Sequence, residues 1–389
     1  MVFDAVWSVA VAGIFGAFVG SFLNVCIHRL PRNESVVHPP SRCYACGARV
    51  RWYDNLPVIG YLVLRGRCRW CGSPFSIRYL LLEVVVAALT AGTVWTVLAG
   101  WHTPAKWLLE LGLQPAIAQA IAAGSLLLLM WFLLVATVID IDHLIIPDEL
   151  TKSFQLAAPF AAIAVASNLN FAWNGADWLI RFDVFQHAHV DAWGYFSKIG
   201  GITAAVLLFL LLSLPLAKVI YSRYCPEGER WRDEDHRGFR WGVGWFVIAS
   251  VVHLSVLAIL CAKAGPGPEV PPQVYAIASL GMAILGSLAG WMSLYMVGLL
   301  GTVAFRKNAM GFGDVKFLAP IGAWLGPVGV VLAFFGAAVA GSLIGLPLYL
   351  MGGKRTIPFG PYLALGAVLT LLFGDVVCRY LLAPLLGGT

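Results

Sequence analysis

Apolar residues run in stretches near 20 residues long, separated by short polar segments, along most of the chain. Such runs cover about 2–25, 79–100, 115–139, 153–166, 199–220, 242–262, 274–303, 317–351 and 362–386. About 20 apolar residues cross the hydrocarbon core of a bilayer as a helix. Helices are the natural form, because backbone groups find no water to bond at that depth. The pattern predicts an all-α polytopic membrane protein with about eight to ten transmembrane helices. Two runs depart from the rule. The one from Ser153 is short. The one from Phe317 is too long for a single crossing and holds Pro320, Gly326-Pro327 and Pro347. It is expected to break near Gly326-Pro327 into a re-entrant hairpin, which would return Lys354 and Arg355 to the side from which it started.

Composition agrees. Of 389 residues, 60% are hydrophobic and only 12% charged, against about 25% charged in a soluble globule. A disordered chain is excluded by the amount of apolar surface, and a collagen by the absence of a glycine period.

Lys and Arg set orientation. The segment 26–78 holds nine Arg against Glu34 and Asp54, so it is expected in the cytoplasm. The first apolar run carries Asp4 rather than a basic start, and its positive charges follow it at Arg29 and Arg32. It therefore reads as an uncleaved span with its N-terminus outside. Counting crossings onward puts 140–152, 221–241 and 306–316 inside, and 168–198 and 263–273 outside. The inside then carries 21 of the 26 Lys and Arg. The net charge of +6 needs no nucleic-acid partner; it is the positive-inside bias plus attraction to anionic membrane lipid.

Four of the eight cysteines form Cys43-x-x-Cys46 and Cys68-x-x-Cys71, with 21 residues between the pairs. Two such knuckles suit tetrahedral thiolate coordination of a structural zinc. Disulfides are the weaker reading in a reducing cytosol, and a redox pair is a further alternative. Cys26, Cys225, Cys261 and Cys378 read as small buried hydrophobes.

Acidic residues are scarce, so their positions carry information. Asp140 ends the run 115–139, ahead of Asp142, His143 and Ile146-Pro147-Asp148. An ionisable group at membrane depth is costly and suggests function; the bland alternative is a solvated span end, and Asp148 suits an N-cap. The second candidate is Asp314 in Gly311-Phe312-Gly313-Asp314-Val315-Lys316, where two glycines permit close backbone approach. Two carboxylates from separate helices would hold one proton between them. One would activate water while the other polarises a scissile carbonyl and then protonates the leaving amine.

In order along the chain stand 20–31 (GSFLNVCIHRLP), the Cys knuckles around 52–57 (WYDNLP), Arg78-Tyr79 leading to Glu83, Asp140 through Pro147-Asp148, 310–316 (MGFGDVK) with 322–326 (GAWLG), and 357–366 (IPFGPYLALG). This ordered set resembles the type 4 prepilin peptidases, the polytopic leader peptidase/N-methyltransferase family. The resemblance implies a membrane aspartyl endopeptidase with Asp140 and Asp314 as the catalytic pair. Gly311, Gly313, Lys316, Pro147 and Asp148 would support the site. The residue two after the first Asp varies in the family, which argues against Asp142. The implied substrate is a prepilin or pseudopilin of a type IV pilus or type II secretion system, its short basic leader cut after a Gly at the cytoplasmic face of the bacterial inner membrane. Family members often then methylate the new N-terminus with S-adenosylmethionine, although no glycine-rich nucleotide loop stands out here. The competing readings are a proton- or ion-coupled transporter and a non-catalytic pilus or secretion scaffold.

The resemblance divides the chain into a first helix (1–25), a cytoplasmic four-cysteine module (26–78), a membrane region with the first Asp (79–167), an insertion (168–273) and a membrane region with the Gly-x-Gly-Asp motif (274–389). The insertion is the departure: the two aspartates are 174 positions apart, far beyond the family's usual separation. It would hold an external segment, a membrane hairpin and a charged loop at 221–241. Within it, His187, His189 and Asp191 read as an external polar loop before a metal site. His253 reads as packed or hydrogen-bonded, and Asp375 with Arg379 as an ion pair at i,i+4 spacing.

Overall fold

The computed structural model describes residues 2–102, 104–165, 233–264, 271–351 and 358–377, with scattered positions in 201–225 and Tyr380. His187, His189, Asp191, Lys354, Arg355 and the side chains of Asp375 and Arg379 lie outside the described residues, as does most of the run 199–220. The chain is all-helical and divides into two compact units, Met1–Thr103 with Gln119–Leu150, and Pro104–Ala118 with Thr151–Thr389. Among the described residues six helices are long and apolar enough to cross a membrane. The protein is a multi-pass membrane protein.

The first unit is built on α1 (Val2–Arg29), α3 (Ile77–Leu98) and most of α5 (Pro115–His143). Leu23, Cys26 and Ile27 of α1, Leu82 and Val86 of α3, and Val135 and Ile139 of α5 share one core. Glycines let α1 and α3 approach closely. A Cβ on Gly20 would stand 2.9 Å from Glu83 Cα, and one on Gly16 would stand 2.6 Å from the Thr90 side chain. Small residues four apart are how membrane helices bring their backbones together. The polar bonds sit in the same seam: Trp131 Nε1 donates to Thr90 Oγ1 at 3.3 Å, and Asn24 Nδ2 to the Tyr79 carbonyl at 3.1 Å.

Between α1 and α3 lies a small module of 3-10 turns, the five-residue α2 (Ile59–Val63) and two isolated antiparallel bridges, Arg42 to Arg49 and Arg67 to Pro74. Arg29 ties it to the end of α1, donating to the carbonyls of Ser35 at 2.9 Å and Pro39 at 2.7 Å. Its crowded arginines are accommodated by pairing. Arg69 Nε donates to Asp54 Oδ2 at 2.8 Å, and Arg51 stacks 5.0 Å from the Trp70 ring centroid. Stacking and pairing offset the mutual repulsion.

The second unit holds α4 (Lys106–Glu110), most of α6 (Asp148–Ala162), α7 (Asp233–Ala264), α8 (Pro272–Phe305), α9 (Phe312–Leu350) and α10 (Gly360–Val377). At 15 residues, α6 rises about 22 Å, less than a hydrocarbon core of about 30 Å. The run from Ser153 is therefore not among the long spans. The segment 221–241, read as a charged loop, is helical from Asp233 onward. Arg and Asp on the first turns extend the apolar helix into its polar approach. His253 Nε2 lies 2.9 Å from the Ile277 carbonyl, a helix-to-helix hydrogen bond as expected for a packed histidine.

The long run from Phe317 does break at Gly326, which takes φ 67° and ψ 175° inside an otherwise helical stretch. A Cβ on Gly322 would lie 3.1 Å from Val330 Cγ2. In a straight helix residues eight apart are about 12 Å apart along the axis, so the chain bends sharply here, between the helical stretches 312–325 and 327–350. The first arm packs on α8, where a Cβ on Gly286 would be 2.2 Å from the Gly322 carbonyl oxygen. The second packs on α10, where a Cβ on Gly366 would be 2.1 Å from that of Ala333.

Candidate active site

Asp140 lies in the last turn of α5, in the first unit, and is 5% exposed. Its neighbour Ile139 is fully buried in the core of α1, α3 and α5, which fixes the helix face that Asp140 occupies. The helix ends at once. The Leu144 amide donates to the Asp140 carbonyl at 2.9 Å, and Leu144 adopts φ 54°. A left-handed leucine costs about 1 kcal/mol or more, and such strain clusters at functional sites. Buried Ile146 and Pro147 follow, and Asp148 opens α6. A carboxylate there faces the positive end of the helix dipole, inside the first turn rather than before it. Asp142 is placed differently. Arg78, at the start of α3, grips it with both nitrogens, at 2.9 and 2.7 Å. That fork fastens α3 to α5 and gives Asp142 a structural task.

Asp314 lies in the first turn of α9, in the second unit, half-buried. Its amide donates to the Gly311 carbonyl at 3.2 Å. A Cβ on Gly311 would be 3.4 Å from Asp314 Oδ2, so the glycine leaves the carboxylate room beside the turn. Gly313 is part of the same turn. Lys316 is 8% exposed, with Nζ 4.5 Å from the Phe312 ring centroid. Its other neighbour is one that sequence reasoning misses. On α7, a Cβ on Gly238 would stand 2.8 Å from Lys316 Nζ and 3.2 Å from Phe312. The next residue, Phe239, stacks against Trp291, Tyr295 and Phe312 with centroids 4.8, 5.1 and 6.1 Å away. Gly238 and Phe239 of α7 thus form a wall beside the Gly-x-Gly-Asp turn. No sequence signal marks this wall, since residues 233–241 look like a charged loop.

The structure brings the four module cysteines together. Their sulfurs all lie within 4.8 Å of one another, with Cys43 to Cys71 at 3.8 Å and Cys46 to Cys68 at 4.0 Å. A tetrahedron of sulfurs about 2.3 Å from zinc has edges of about 3.8 Å, whereas a disulfide needs about 2.05 Å. The donor set fits a zinc ion. The two knuckles repeat one geometry. The Gly47 amide donates to Cys43 O at 2.8 Å and that of Gly72 to Cys68 O at 2.9 Å, with both glycines at positive φ, 73° and 68°. The backbone amides of Cys71 and Trp70 hold the Cys68 thiol down to about 7. At Cys71 the Ser73 amide pulls the same way, but burial and the neighbouring sulfurs of Cys46, Cys68 and Cys43 push it up to about 11. Four thiolates at this spacing call for a cation.

Residues 14–97 match the Bacterial Peptidase A24 N-terminal domain, and residues 250–346 match the Type IV leader peptidase family. The prepilin leader peptidase/N-methyltransferase of Aeromonas hydrophila is 26% identical over 400 residues, covering 96% of this chain and 93% of that protein.

The chain belongs to the peptidase A24, or type IV leader peptidase, family.

The prepilin leader peptidase/N-methyltransferase of Pseudomonas aeruginosa is 25% identical over 392 residues, covering 94% of this chain and 90% of its own length. That of Myxococcus xanthus is 38% identical over 144 residues, 37% of each chain. No solved structure matches. The first family stretch contains the four cysteines, and the second contains Asp314 and the break at Gly326. Asp140 and Gly238 fall between the two.

Proposed function

We propose that this chain is a prepilin leader peptidase that also methylates the N-terminus it creates, as the names of its full-length relatives describe. The observation that carries the peptidase reading is the placement of two aspartates at helix ends, Asp140 closing α5 and Asp314 opening α9. At a helix end a carboxylate stands where an apolar span meets the interface, which is where a leader joined to an apolar helix presents its scissile bond. Asp140 and Asp314 act as a pair sharing one proton. The ionised member takes a proton from water, the protonated member polarises the carbonyl, and that proton then passes to the leaving amine. Gly311 and Gly313 keep side chains away from the turn. Lys316, and Pro147 with Asp148, hold the two ends in place.

The arginine-rich module gives the orientation: module and aspartates face the cytoplasm, with the N-terminus outside. The four-cysteine cluster holds a structural zinc that pins the two knuckles together. The substrates are prepilins or pseudopilins. The test is leader removal from a co-expressed prepilin, read by mobility and mass. Asp140→Asn and Asp314→Asn are each expected to abolish it, by at least about 100-fold, while the protein still inserts. Normal processing by either variant would defeat the assignment for that residue.

A further inference from the structure

Two features flanking Asp140 cost free energy. Leu144, four residues on, stands in the left-handed region at φ 54°. Thr137, three residues before, has a hydroxyl oxygen that is shut off from the surface and finds no hydrogen-bond partner among the described residues. Burying an unpaired hydroxyl is unfavourable, so a folded chain that keeps one has a reason for it.

The usual partner is at hand and is not used. A helical threonine ordinarily donates to the carbonyl four residues back. Thr90 does so to Val86 at 2.7 Å, Thr93 to Leu89 at 2.8 Å and Thr302 to Gly298 at 2.8 Å. Thr137 lies inside α5, within the same reach of the Leu133 carbonyl, yet its hydroxyl makes no such bond. Side chains one turn away on its own helix are those of Leu133, Leu134, Asp140 and Ile141, and of these Asp140 alone is polar. Residues three apart on a helix have their Cβ atoms about 5–6 Å apart. Helical side chains lean toward the N-terminus, which carries the Asp140 carboxyl back over the turn that bears Thr137. Gln155, Ser250 and Ser287 also bury an unpaired polar atom, but none of them stands within a turn of Asp140 or Asp314 along the chain.

We propose that Thr137 is a positioning residue for Asp140, its hydroxyl donating to one carboxyl oxygen when substrate fills the site. The inference deepens the peptidase reading and rests on it. Catalytic hydrogen bonds are often open in a free enzyme and tighten on binding, and at this spacing a rotation about χ1 of either side chain closes the gap. With one oxygen held, the other is presented in a single orientation to water or to the scissile carbonyl, whichever half of the reaction Asp140 serves. Thr137 itself neither gains nor loses a proton. The unpaired hydroxyl and the left-handed Leu144 are then two local costs of keeping one carboxyl in register.

The test uses the full chain in lipid nanodiscs, with prepilin cleavage measured over a range of substrate concentrations and thermal unfolding followed in parallel. Thr137→Val keeps the branched shape and removes the hydroxyl; Thr137→Ser keeps the hydroxyl. Thr137→Val should lower kcat about tenfold, as a misplaced catalytic group does, with KM unchanged. Its unfolding temperature should equal or exceed that of the wild type, because deleting an orphaned hydroxyl removes a penalty. Thr137→Ser should restore kcat to within about threefold of the wild type. Wild-type kcat in Thr137→Val overturns the inference. Equal losses in the two variants overturn it too, as does a fall in kcat that accompanies a lowered unfolding temperature. In each of those cases loss of cleavage in Asp140→Asn leaves the peptidase reading standing, whereas normal cleavage in Asp140→Asn takes both down.

Discussion

At the scale of single residues, two aspartates two positions apart have different roles. Asp140 is buried at its helix end, while Asp142 is forked to Arg78 on a partly exposed surface. Exposed pairs contribute about 0–1 kcal/mol. Asp142→Asn is therefore expected to lower leader cleavage only a few-fold and to shift thermal unfolding slightly, against complete loss for Asp140→Asn. Equal loss in both variants would move Asp142 into the chemistry. The cysteines give a second prediction. Metal analysis of the purified chain should find about one zinc, and Cys43→Ser should lose it. Protons compete for thiolates, so the metal leaves as pH falls. Asp54 helps hold the module, because the Arg69 side chain hydrogen-bonds it and keeps its carboxyl below the usual range. A depressed carboxylate pKa contributes stability above the ordinary value of about 3.9 and loses it as pH falls through the lower folded-state value. Asp54→Asn removes that contribution at neutral pH. The pH of half metal release, followed with a chromogenic chelator, should therefore move upward. An unchanged midpoint would mean the pair does not couple to the metal site.

At the scale of elements, the informative contact is α7 against the turn that carries Asp314. Gly238 leaves space that Lys316 fills, and Phe239 closes an aromatic stack on Trp291, Tyr295 and Phe312. Gly238→Leu would drive Lys316 and Phe312 off their positions. Lys316 can swing away, but the Phe312 ring has little freedom within its stack. Expression and membrane insertion should be normal while leader cleavage falls about tenfold, roughly the effect of misplacing a catalytic group by a fraction of an ångström. Wild-type turnover in Gly238→Leu would show that the wall does not act on the site. Apolar runs locate α1, α3, α5, α8 and α9 to within five residues, because a span is defined by its own composition. The pattern fails at 233–241, where a charged first turn continues an apolar helix.

At the scale of the whole molecule, the break at Gly326 decides how the last third of the chain meets the membrane. The re-entrant hairpin expected from the sequence brings the two ends of α9 out on one side. Single cysteines placed at Lys307 and Met351, both exposed, should be modified by an impermeant maleimide from the same face of oriented vesicles. Labelling from opposite faces would replace the hairpin with a kinked crossing and move Lys354 and Arg355 across the bilayer.

The sequence alone determined the solvent, the helices, the metal-ligand quartet and the family, since each is written in local composition or spacing. Glycine and proline even marked the break in α9, because only a backbone free of a Cβ takes φ 67° cheaply. Tertiary structure alone decided which helices touch: Gly286 against Gly322, Glu83 across to Val58, Gly238 against Lys316. Those contacts join residues distant in the chain, and a contact of that kind depends on shape and burial that no run of neighbouring side chains records.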